Sequence, residues 1–178
     1  MKKVFALLLA LTVMLGAAAF AEEAGEAVPS PTAGASVISN TGDGVTVIVT
    51  DAEDDDKVTA IVNAIEQNGD NSEVFKSAEL DEDMTKYELI ELVGVDIVGY
   101  DAEKNDDISA NIKFAGAFEQ GKKLIVLLGV VEDNRVVWQP VSFTVEADGT
   151  MTINLTEKQA EIVAAQETVI AVLQEIAE

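Results

Sequence analysis

The sequence predicts a mainly β protein, an antiparallel β-sandwich of about eight strands with two short helices. Three observations carry this. Between Lys122 and Leu155, four β-rich runs are separated by polar turn residues, the sequence form of consecutive antiparallel strands. Ile108, Ala110, Ile112 and Phe114 alternate with Ser109, Asn111 and Lys113, the period of a strand with one buried face. Leu124 to Val131 is apolar at every position, so this strand needs cover on both faces.

Taken in order, Lys2 and Lys3 precede an apolar run from Val4 to Gly16, and Ala19-Phe20-Ala21 offers a small-residue cleavage site. This is the pattern of a secretory signal peptide over residues 1–21, too short and wrongly flanked for a membrane anchor. No cysteine follows it for lipid attachment. A secreted, extracellular protein without a membrane span is therefore expected. Residues 22–39, rich in Ala, Gly, Glu, Pro and Ser, read as a flexible linker. Residues 40–178 then form one domain, long enough to bury a core without staples.

Within it, Val45 to Thr50 is a strand. Asp51 to Asp56 is an acidic loop, and Lys57 to Asn68 carries Val58, Ile61, Val62 and Ile65 at helical spacing before Asn68-Gly69. Val74 to Leu80 reads as irregular or as a short edge strand. Glu88 to Val93 and Val95 to Gly99 read as strands about a bulge, with a short helix over Thr85 to Leu92 as the alternative. Asp101 to Asp107 is a second acidic turn. After the Leu124 strand come Arg135 to Trp138, a break at Pro140, Val141 to Val145, the Asp148-Gly149 hairpin turn and Thr150 to Leu155. Thr156 and Gln159 form a capping box for a short helix to Ala165. Thr168 to Leu173 is a final strand, with one helix over residues 157–176 as the alternative.

Composition excludes several functions. The chain has no His and no Cys, so triads built on Ser-His or Cys-His and metal sites built on nitrogen or sulfur are ruled out. Its net charge is −22, and loss of Lys2 and Lys3 with the leader takes it to −24. Such a surface repels nucleic acid. Carboxylate chemistry stays open. A glycoside hydrolase would need a partly buried acid, and Asp96 (in Val95-Asp-Ile-Val) and Glu91 are the carboxylates set inside apolar runs. Each reads first as a strand or bulge residue. Ca²⁺ takes six to eight oxygen ligands. The candidates are Asp101, Glu103, Asn105 and Asp107, at alternate positions beside Asp106, and separately Asp51 and Glu53 to Asp56. The 101–107 run lacks the central Gly and terminal Glu of an EF-hand, and solvated turns are the simpler interpretation. Trp138, the only tryptophan, either stacks on a sugar when exposed or anchors the core when buried. The core is preferred, because sugar-binding faces present several aromatics.

Gly121-Lys-Lys-Leu-Ile-Val-Leu-Leu, Trp138-Gln-Pro-Val and Asp148-Gly-Thr-Met-Thr-Ile-Asn-Leu resemble a β-rich module in exported proteins of anaerobic Gram-positive bacteria. The likeness covers Tyr87 to Leu173 and departs from the module at the two lysines after Gly121 and at the charged Glu132-Asp-Asn-Arg loop. It implies a secreted sandwich and transfers no active-site residue. The expected function is a secreted, acidic, non-enzymatic module for binding, adhesion or scaffolding, with an extracellular protein or glycan as partner. The alternatives are a carboxylate-based glycoside hydrolase and a Ca²⁺-dependent binding module. No cofactor other than Ca²⁺ is implied.

Overall fold

The computed structural model describes residues 34–50, 71–116, 118, 121–132 and 135–176. The leader, most of the linker, the first acidic run and the expected helix Lys57 to Asn68 lie outside these residues. Nine strands form two antiparallel sheets. The strands are β1 (Ser36–Asn40), β2 (Thr46–Thr50), β3 (Tyr87–Val98), β4 (Ile108–Lys113), β5 (Leu124–Glu132), β6 (Arg135–Pro140), β7 (Ser142–Val145), β8 (Met151–Leu155) and β9 (Thr168–Glu175). The smaller sheet runs β1-β4-β8-β7 and the larger β2-β3-β9-β5-β6. A helical turn, α1 (Asn71–Val74), and 3-10 turns at Lys76–Ala78 and Met84–Lys86 precede β3, and α2 (Glu157–Ala165) joins β8 to β9.

The main core lies between the sheets. Ile108, Ala110 and Ile112 from β4 and Met151, Ile153 and Leu155 from β8 meet Val93, Val95, Val126, Leu128, Ile170 and Val172 from the larger sheet, and Ala160 and Val163 of α2 close one side. A second cluster covers the other face of the larger sheet. There Phe75, Ala78 and Met84 pack on Leu89, Leu92, Leu127, Trp138, Ala171 and Leu173. This explains the uninterrupted apolar runs of β5 and β9, since both strands are covered on both faces. It also places Trp138 in the core, 1 % exposed, with its ring centroid 4.8 Å from that of Phe75.

Several expectations are corrected. There are nine strands rather than eight because β1 forms inside the stretch assigned to the linker. Its own sequence is a weak strand former. Its pairing with β4, the Thr41 N–H bond to Ser109 O and the Ser109 N–H bond to Thr41 Oγ1 supply what composition did not. Of the two readings of Val74 to Leu80 the edge strand falls, because the segment holds the end of α1 and the 3-10 turn Lys76–Ala78. Over Glu88 to Gly99 the strand reading and a bulge hold and the helix does not, but β3 runs continuously and its bulge lies between Leu89 and Glu91 rather than between two separate strands. The bulge reverses the facing parity: Leu89 and Leu92 both reach the outer cluster, while Val93, Val95 and Ile97 face the inner core. At the C-terminus, helix followed by strand is the observed order.

Candidate functional site

Three of the four candidate ligands in the 101–107 loop are already engaged in hydrogen bonds within the protein. Asp101 accepts from Glu103 N–H at 3.1 Å and from Lys104 Nζ at 2.5 Å. The bond to Lys104, ahead of the one to Glu103, holds the Asp101 carboxyl below its ordinary range. Asn105 is buried, 4 % exposed, and its Oδ1 accepts from Asp43 N–H at 2.9 Å. Asp107 Oδ1 accepts from Glu157 N–H at 2.9 Å, at the first turn of α2. Glu103 is exposed. The loop therefore fastens the β1–β2 turn to the start of α2. Among the described residues no three acidic side chains gather closely enough to hold a metal ion. Asp51 to Asp56 lie outside the described residues.

The two carboxylates set in apolar runs go separate ways. Glu91 follows the β3 bulge and is buried, 2 % exposed. Its Oε1 accepts from Gly116 N–H at 2.7 Å, fixing the chain that leaves β4. Asp96 is exposed, with Oδ1 bonded to the Ile97 N–H at 2.8 Å. Asp96 lines an open cleft of about 420 Å³ with Thr50, Gly94, Val131, Glu167 and Thr168. A second cleft, of about 240 Å³, lies beside Phe75, Leu80, Glu82 and Met84. Next to it, Glu82 joins Lys123 and accepts from the Tyr87 hydroxyl at 3.3 Å. The Lys123 hydrogen bond is the main cause of the lowered Glu82 pKa, and burial pushes the Tyr87 hydroxyl up.

The outer face of the smaller sheet is different in kind. Because its strands alternate and their inward residues are the core, registry sets the outward residues in cross-strand rows. One row is Ser142–Asn154–Ser109. The next is Thr144–Thr152–Asn111–Ser39. All seven are hydroxyl or amide side chains, on a chain of net charge −22. A third row brings Lys113 opposite Ser36, and Glu146 reaches the corner to accept from Thr152 Oγ1 at 2.8 Å. Ser109 Oγ donates to Asn154 Oδ1 at 2.7 Å. Asn111 Nδ2 donates to Thr150 Oγ1 at 3.0 Å and Thr152 Oγ1 at 3.1 Å. The alternation of β4 and β8 was visible in sequence. The face was not, because it needs β1 and the pairing of non-consecutive strands.

Comparison with known protein families, with curated proteins and with solved structures finds no match to any of them.

Proposed function

We propose that this chain is an exported, acidic, non-enzymatic module that works by binding, adhesion or scaffolding outside the cell. The leader pattern and the lack of His and Cys support it. The observation that carries it is how the described domain spends its functional groups. Asp101, Asn105 and Asp107 are structural acceptors and Glu91 is a loop tie. Exposed hydroxyls with no hydrogen bond among the described residues, those of Ser39, Ser142 and Thr144, stand on the outer face of the smaller sheet. Such a surface serves contact rather than turnover. The test is to recover the protein from culture medium, sequence its N-terminus and incubate it with cell-wall material and mucin. Cleavage after Ala21 and sedimentation with either material are expected. Release of reducing sugar that disappears in Asp96→Asn would overturn the non-enzymatic reading.

A further inference from the structure

We propose that the two uncharged rows on the smaller sheet are a docking face for an uncharged polysaccharide. This rests on the binding-module reading above and names the ligand class. Carboxylates crowd this chain, 33 Asp and Glu against 11 Lys and Arg, yet none stands at any of the seven positions of these rows, and the carboxylate that reaches them, Glu146, does so from the corner, where it accepts from Thr152 Oγ1. An anionic polymer is repelled by the molecule as a whole. A neutral polymer loses nothing by approaching, and here it meets groups that both donate and accept.

Capacity is available where a ligand would lie. No hydrogen bond within the described residues occupies the hydroxyls of Ser39, Ser142 or Thr144, all exposed. Internal bonds use the Asn111 amide as donor and the Asn154 amide as acceptor, leaving the Asn111 Oδ1 and the Asn154 Nδ2 for a partner. Same-face residues repeat about every 6.8 Å along a strand and neighbours across strands stand about 4.8 Å apart. The result is a firm grid of hydroxyls and amides, backed by side chains such as Ile153, 1 % exposed, and Ile108, 0 %. Four strands at that spacing give roughly 300 Å², far below the ~800 Å² each partner contributes to a stable protein–protein interface. The area suits a few sugar units, and mutual repulsion between strongly acidic copies disfavours a face-to-face dimer. These rows carry no aromatic ring and so lack the stacking that sugar-binding faces usually present; each sugar contributes hydrogen bonds alone, so binding to a short oligosaccharide is weak and retention grows with polymer length.

The test is co-sedimentation of the exported protein with cellulose, chitin, insoluble β-1,3-glucan and starch granules, with polygalacturonate as the anionic comparison. Retention by at least one neutral polymer and none by polygalacturonate is expected. The double variant Ser39→Glu/Thr144→Glu should then lose at least tenfold in apparent affinity, while Ser39→Thr/Thr144→Ser and the distant surface variant Lys158→Glu keep it. Melting midpoints confirm that each variant is folded. Binding that survives the double Glu variant would overturn the face while leaving the module reading in place. Capture by mucin protein or by a second copy, with none by any neutral polysaccharide, would overturn this inference alone. Glycan hydrolysis would overturn both.

Discussion

Gly129 shows how one missing Cβ shapes the molecule. A methyl there would stand 2.6 Å from Trp138 Cζ3, 2.7 Å from Val136 Cγ1 and 2.8 Å from Val169 Cγ2. The indole can lie across β5 because that position is bare. Gly129→Ala should cost about 1–3 kcal/mol by overpacking, measured by urea unfolding, and should shift Trp138 emission to the red. Glu91 is the second decisive residue. Glu91→Ala removes the acceptor of the Gly116 N–H, and about 1 kcal/mol should be lost, with faster amide exchange at Gly116. Both residues were present in apolar runs of the sequence. Their roles were hidden because what they touch is 9 positions away in one case and 25 in the other. Trp138 was legible from composition alone, since a lone indole among so few aromatics is worth more buried than exposed. Titration belongs to this scale too. Asp83 is held below its ordinary 3.8 chiefly by the Thr85 hydroxyl, Asp101 by Lys104 and Asp148 by the Thr150 hydroxyl. A carboxyl whose folded pKa is depressed adds stability that is complete above the unfolded value and is lost as pH falls through the folded one. The melting midpoint should therefore fall as pH drops from 3.8, and Asp148→Asn should flatten that decline. The groups are exposed, so the effect is small.

Among the elements, α2 is the one whose start sequence chemistry set outright. Thr156 accepts from Gln159 N–H while the Gln159 side chain returns to the Thr156 backbone, the reciprocal pair that the spacing predicts. Asp107 adds an acceptor for Glu157 N–H. Thr156→Ala should cost about 1 kcal/mol and Thr156→Ser little, as read by thermal unfolding. Hairpins were equally legible: Asp148-Gly149 turns β7 into β8 with Gly149 at φ +84°. β1 and β3 were not. A five-residue strand with two apolar side chains exists because β4 offers it a partner, and strand propensity reports such context poorly. In β3 the bulge changes which residues face which core, and a sequence pattern with two registers looks like two strands.

The whole molecule carries −22, and self-repulsion at that charge weakens any compact state. Raising NaCl from about 10 to about 500 mM should raise the melting midpoint by screening. Ca²⁺ and Mg²⁺ at equal ionic strength should act alike, because in the described loop 101–107 Asp101 already accepts from Glu103 N–H and Lys104, Asn105 from Asp43 N–H and Asp107 from Glu157 N–H. A shift specific to Ca²⁺ and reversed by EDTA would restore the Ca²⁺-dependent alternative. Sequence by itself determined the fold class, the hairpins, the capped helix and the need for β5 to be covered twice. These depend on periodicity and local hydrogen bonding, which act over a few residues. Tertiary structure decided that β9 would insert between β3 and β5, that an outer layer before β3 would cover the larger sheet, and that Ser39, Asn111, Thr152 and Thr144 would share one row. Those outcomes depend on which distant strands pair, and pairing is selected by the burial of the assembled core rather than by any short stretch of chain.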